Sequence, residues 1–179
     1  MKDALLIIDV QNDYFPNGKW ELHQANKALE NVKQLLDYYR KHQLPIYHVQ
    51  HISPEGAAFF EINTPGADIH PEVSPLKDEK VIQKHFPSAF LKTNLREVLE
   101  EDGITHLTVC GMMTHMCIDT TVRVAQNYGY DVKLVDDACT TKDLEVKGQV
   151  IDAETVHNTY MGSLAQGFAE IVVTNDVPK

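Results

Sequence analysis

The stretch Thr108-Val-Cys-Gly-Met-Met-Thr-His-Met-Cys117-Ile-Asp-Thr-Thr121 decides how this chain is read. A short apolar, β-like run over 107–110 stops at Gly111, and a helical pattern begins around His115. Cys117 is therefore expected in the first turn of a helix that follows directly from a strand. Unpartnered backbone N–H groups and the positive end of the helix dipole meet at such a turn, and both favour a thiolate over a thiol. Glycine lets the chain turn sharply there, and Thr114 reads as the N-cap. The N–H groups of Met113 and Cys117 can then converge on one oxyanion, a donor pair worth roughly 3 kcal/mol per member to a transition state.

Outward from this turn, strands and helices alternate. A continuous apolar run over 4–10 suits a strand covered on both faces. Ala28, Val32, Leu35, Leu36 and Tyr39 give 25–42 one apolar helical side. Strands follow over 45–51 and 80–84, a helix over 91–102 closed by Gly103, a strand over 106–110, and a helix over 115–128 stopped by Gly129. A strand over 131–135, a helix over 153–168 and a strand over 171–174 complete the pattern. Strands separated by helices imply βαβ units and a parallel sheet, hence an α/β domain of three α/β/α layers. In such sheets the working crevice lies beyond the carboxyl ends of the strands. Asp9, His51, Lys84 and the 111–117 turn all stand at such ends, on four different strands.

The 179 residues suffice for one domain with a substantial core, and 43% hydrophobic with 23% charged residues is the composition of a soluble globular protein. A net charge of −10 argues against nucleic-acid binding, and no basic cluster suits an anionic membrane. No run approaches the ~20 apolar residues of a membrane span, and the first strand is too short for a signal sequence. These features place the protein in the cytoplasm. Three cysteines without a CxxC pair read as free thiols, with Cys110 and Cys139 in packing roles.

Asp9 interrupts the first strand, and a carboxylate beside a cysteine can take the thiol proton and later deliver it to a leaving amine. Asp13 is its rival, farther along in the expected loop. Lys84, in a partly desolvated crevice, would stabilise both the Asp9 carboxylate and the Cys117 thiolate. Nine histidines invite a metal check, but His48 and His51 fall on opposite faces of a strand, and none of the nine stands in a spacing that makes a zinc or iron site persuasive. Neither metal nor cofactor is expected. The long segment 53–79 carries Pro54, Pro65, Pro71 and Pro75 with Phe59-Phe60, and reads as a binding loop whose phenylalanines pack over the crevice or a neighbouring subunit.

Together, Leu5-Leu-Ile-Ile-Asp9-Val-Gln-Asn-Asp13, Thr64-Pro-Gly-Ala-Asp-Ile-His70-Pro, Lys84 with Pro87-Ser-Ala-Phe90, the Val109–Thr121 stretch and Val135-Asp-Asp-Ala-Cys139 resemble the isochorismatase-like hydrolase superfamily, in its cysteine hydrolase branch. The resemblance implies a six-stranded parallel Rossmann-like sheet, a catalytic triad of Asp9, Lys84 and Cys117, and a cis peptide between Met112 and Met113 that turns the Met113 N–H toward the oxyanion. It also implies a homo-oligomer. Nicotinamidases of this superfamily carry an Asp-x-His metal motif after the second strand and a later histidine, where this chain has His51-Ile-Ser-Pro-Glu and Phe59-Phe60. That departure disfavours nicotinamidase. Isochorismatases proper, which cleave a vinyl ether, generally do not have the cysteine, so Cys117 favours C–N hydrolysis of a small amide-like substrate through a thioester. Phe15, Trp20, Phe59, Phe60 and Phe86 are the candidates for an apolar pocket wall. A vinyl-ether hydrolase and a non-catalytic binding module are the alternatives.

Overall fold

A computed structural model of the chain describes residues 2–177. Six strands form one parallel sheet: β1 Asp3–Ile8, β2 Ile46–His51, β3 Lys80–Lys84, β4 His106–Met112, β5 Asp131–Thr140 and, after a small hairpin, β8 Glu170–Val172. Their order is β3-β2-β1-β4-β5-β8. All five ladders are parallel. The helices are α1 Ala25–Lys41, α2 Leu95–Glu101, α3 Asp119–Asn127 and α4 Ala153–Leu164.

Two apolar cores flank the sheet, as a parallel sheet buried on both faces requires. Alternation along β1 divides it between them. Leu5 and Ile7 join the core under α1, with Val32, Leu36 and Tyr39. Ala4, Leu6 and Ile8 join the opposite core, with Leu95, Leu99, Val122 and Leu164. The α/β fold expected from the pattern is the one observed, and the six strands match the resemblance.

The differences are local. The second helix begins at Leu95, four residues later than expected, because Thr93 Oγ1 donates to the Ala89 carbonyl (2.6 Å) and accepts from the Leu95 N–H (3.3 Å), completing a turn first. β5 runs five residues past Val135 to Thr140, since Cys139 and Thr140 pair with Gly111 and Met112 beyond a bulge. An unexpected antiparallel hairpin, β6 Leu144–Val146 and β7 Gln149–Ile151, turns at Lys147-Gly148, both with positive φ. No described helix is long and apolar enough to cross a membrane.

Gly111 shows why the central strands approach as they do. It pairs with Ile8 at φ 126°, and a Cβ there would stand 2.0 Å from the Ile8 carbonyl oxygen. Only glycine fits.

Candidate active site

β1 ends at Ile8, and Asp9 follows it at φ 52°, in the left-handed region. Such a conformation costs a non-glycine residue roughly 1–3 kcal/mol and persists only where its surroundings impose it. Here the Asp9 N–H donates to the Val49 carbonyl, and the Gln11 N–H donates to the Asp9 carbonyl, both at 3.0 Å. The turn swings the carboxylate over the carboxyl edge of the sheet. At the same edge His51 and Lys84 are register partners on β2 and β3.

The structure brings Asp9, Lys84 and Cys117 together. Lys84 Nζ lies 2.8 Å from Asp9 Oδ2 and 3.1 Å from Cys117 Sγ. All three residues are buried, Asp9 and Lys84 completely. Lys84 Nζ also meets His51 Nδ1 at 2.9 Å and donates to the Phe86 carbonyl at 3.1 Å. Asp9 is held by charge more than by direction: among the described residues neither of its oxygens accepts a well-aligned hydrogen bond. Those lone pairs are open to a proton arriving from a thiol or a substrate.

Charge balance follows from this packing. Burial lowers the Lys84 pKa, but the adjacent Asp9 and Cys117 charges outweigh it, so the ammonium is held above its ordinary range. Burial, with Lys84 beside it and Asp9 opposing, pulls His51 down to about 4. Burial pushes the Cys117 thiol up and Asp9 adds to it, while Lys84 pulls the other way. Burial and the Asp9 carboxylate thus oppose the thiolate that the helix position favours, and the Lys84 ammonium supports it.

The turn itself is wider than the expected α-helical start. Thr114–Ile118 is a single π-helical turn leading into α3, with the Ile118 N–H reaching back to the Met113 carbonyl at 3.3 Å. The Met112–Met113 peptide is cis. Met113 occupies the cap position with no side-chain cap. Thr114, expected as the cap, points elsewhere: its buried hydroxyl meets His157 Nδ1 at 2.8 Å, and His157 Nε2 meets Asp136 Oδ1 at 2.9 Å. Met113 and Cys117 thus begin and nearly end the same short turn.

Asp13 has a different job. Its two carboxylate oxygens accept the Phe60 N–H (2.7 Å) and the Lys19 N–H (3.1 Å). A Cβ on Gly66 would meet Asp13 Oδ1 at 2.3 Å, so the Thr64-Pro-Gly segment packs against this carboxylate. Gln11 Nε2 donates to the Ala67 and His51 carbonyls at 2.7 and 2.8 Å. The 53–79 segment is therefore bolted to the residues after β1.

Of the pocket candidates, Trp20, Phe59 and Phe60 gather with Tyr14: Trp20 stacks on Phe59 at 4.7 Å and Phe60 lies 4.5 Å from Tyr14. Phe60 is fully buried and lies 5.9 Å from the His51 ring. Phe15 turns instead against His70, at 4.3 Å. Phe86 contributes its carbonyl to Lys84 and leaves its ring half-exposed. Sequence reasoning passed over Tyr14, a buried phenol whose pKa is raised by burial and by the nearby Cys117, Asp9 and Asp13 charges. His51 stood among the strand-end residues but was given no role. Its pairing with Lys84 was readable only once β2 and β3 were aligned. Cys110 and Cys139 are buried, and burial pushes both thiols up.

Asp9, His51 and Cys117 also bring three metal-ligating atoms within 4.8 Å of one another, yet the cation they surround is the Lys84 ammonium.

Comparisons with known proteins agree with this architecture. The model of the isochorismatase domain matches residues 3–176. The isochorismatase family protein YddQ of Bacillus subtilis (strain 168) is 47% identical over 175 residues, covering 97% of each chain. Nicotinamidase 3 of Arabidopsis thaliana is 30% identical, over 94% of this chain and 83% of that one. The crystal structure of an isochorismatase from Pseudomonas putida KT2440 superposes with a TM-score of 0.93 at 40% identity, covering 97% of this chain and 88% of that one. This chain belongs to the isochorismatase family and is a hydrolase of that family.

Proposed function

We propose that the protein is a metal-independent cysteine hydrolase that cleaves a C–N bond of a small amide-like molecule through a thioester. The observation that carries this reading is one buried ammonium within 2.8 Å of a carboxylate and 3.1 Å of a thiol. Asp9 takes the Cys117 proton, and the thiolate attacks the carbonyl carbon. The oxyanion is received by the Met113 and Cys117 N–H groups. As the tetrahedral adduct collapses, Asp9 gives its proton to the departing nitrogen and a thioester remains. Asp9 then takes a proton from water, whose oxygen attacks the thioester. The acid leaves, and the expelled thiolate regains the proton from Asp9.

Lys84 keeps its charge throughout, and its place between Asp9, His51 and Cys117 supports a reaction without a metal. Nicotinamidase 3 shows by its name that relatives act on amides. Trp20, Phe59 and Phe60 are proposed as apolar lining, with Phe15 and Phe86 farther out. Three free thiols suit a reducing cytoplasm. Val146 and Val150, exposed on the small hairpin, support a homo-oligomer.

The test is a panel of small amides with intact-mass detection of the acyl-enzyme. A mass increase on Cys117 that disappears in Cys117→Ala, together with turnover, is the expected result. Turnover unchanged in Cys117→Ala sinks the reading, and pyruvate release independent of Cys117 would establish the vinyl-ether alternative.

A further inference from the structure

Tyr14 is only 1% exposed, yet its hydroxyl has no hydrogen-bond partner among the described residues. A phenol buried among apolar rings normally finds one. The Tyr14 ring is placed by Phe60 at 4.5 Å and Phe59 at 5.8 Å, contacts that a phenylalanine would make equally well. The oxygen is therefore surplus to packing. It stands near Cys117, Asp9 and Asp13, whose charges all reach it.

Those neighbours leave the hydroxyl uncommitted. Both Asp13 oxygens accept backbone N–H groups, from Phe60 and Lys19. Cys117 Sγ accepts from Lys84, and neither Asp9 oxygen accepts from any described group. Lys84 has no proton to spare for a ligand, since its three go to His51 Nδ1, the Phe86 carbonyl and Cys117 Sγ. His51, which receives one at Nδ1, keeps its own proton on Nε2 of a partly exposed ring. Tyr14 thus carries a buried side-chain proton, beside the sulfur, that is committed to nothing.

We infer that Tyr14 recognises the substrate: its hydroxyl donates to a neutral carbonyl-type oxygen, and its ring forms the pocket wall with Phe60. This deepens the cysteine-hydrolase reading above and rests on it only for the bond that is cleaved. The nearby carboxylates of Asp9 and Asp13 decide the class of ligand. A carboxylate or phosphate would meet like charge there. An amide or urea instead brings an oxygen for Tyr14 and N–H groups for the open lone pairs of Asp9. The phenol serves as a donor and not as a base, because burial and the surrounding charges hold it well above its ordinary range. No bond is made or broken at the hydroxyl.

The experiment uses Tyr14→Phe, which deletes one oxygen and keeps the ring contacts. Cys117 alkylation is followed with two probes that react by the same displacement at carbon. Iodoacetamide carries an amide oxygen and iodomethane carries none, and peptide mass separates Cys117 from Cys110 and Cys139. The iodoacetamide rate is expected to fall about three- to tenfold in Tyr14→Phe while the iodomethane rate is unchanged. Because the hydroxyl has no partner to lose, the thermal midpoint should stay level or rise. Amides that the protein turns over should show KM raised by a similar factor. Unchanged rates with both probes overturn the inference, and so does an equal fall in both, which would assign the hydroxyl to the thiol and carboxylate instead of a ligand. A lowered thermal midpoint also overturns it, by making the hydroxyl a structural group. The alkylation arm needs no hydrolysis, so it reads Tyr14 even if no amide is turned over and the C–N reading fails.

Discussion

The Lys84 ammonium and the Asp9 carboxylate form an ion pair of 2.8 Å in which neither side chain reaches solvent. Removing one partner of such a pair leaves an uncompensated buried charge, at a cost of about 3–5 kcal/mol. Asp9→Asn is therefore expected to lose stability as well as turnover. The double change Asp9→Leu with Lys84→Met should be more stable than either single charge deletion. Urea midpoints of the four proteins check this, and additive losses in the double variant would refute the coupling.

Lys84→Ala has a second expected outcome. It removes the cation from among three ligand atoms within 4.8 Å of one another. A carboxylate, an imidazole and a thiolate form a competent zinc triad with a fourth position open. Equilibrium dialysis should find about one zinc per chain in Lys84→Ala. Loss of that binding in Lys84→Ala/His51→Leu would identify the ligands, and no zinc uptake by Lys84→Ala would refute the prediction.

The Thr114–His157–Asp136 chain braces the residue next to the cis peptide. With Asp136 accepting from Nε2, His157 Nδ1 accepts the Thr114 hydroxyl proton. His157→Leu leaves that buried hydroxyl without its partner. The expected effect is a fall of about tenfold in kcat with KM nearly held, since the oxyanion donors are displaced and the binding surface is not. A rise in KM at constant kcat would place His157 in substrate binding instead.

Acid should destabilise the protein in two stages. His51 titrates at about 4 when folded, below its ordinary value, because burial and Lys84 disfavour its charged form. From about pH 6.5 down to 4 the unfolded chain therefore binds more protons, and stability falls. Glu79 is held at about 2: burial opposes the shift, but Arg40, the Leu76 N–H and His48 together overcome it. Its contribution is present above its unfolded pKa and is lost as pH falls from about 4.5 toward 2. Chemical denaturation against pH should show both losses. Glu79→Gln should flatten the lower one.

Gly111→Ala should not yield the native sheet. Its Cβ would meet the Ile8 carbonyl oxygen at 2.0 Å, backbone against backbone, between the two central strands. Insoluble expression, or soluble protein without a cooperative thermal transition, is expected. A stable, native-like variant would show that β1 and β4 can separate locally.

The main elements were legible because their signals were periodic and local. The apolar run of β1, the stripe on α1 and the stop at Gly129 each encode one element without help from the rest of the chain. Asp9, Lys84 and Cys117 were found because each stands at the end of such an element. The missing pieces are all non-local. The tail of β5 exists because Cys139 and Thr140 find Gly111 and Met112, and Thr114 leaves its capping role because α4 presents His157. Tyr14 looked like one more aromatic residue in a loop, since only the packed structure sets it beside the sulfur and two carboxylates. The burial of Cys117 is hidden for the same reason: a helix start is visible in sequence, whereas the packing around it is not.

β3 is the outermost strand on its side of the sheet, laddered to β2 alone, with Val81 facing outward. The positive charge that organises the site is thus mounted on an edge of the scaffold, where local opening begins. Warming should silence the enzyme some degrees before the molecule melts, as the periphery peels away while the centre still holds.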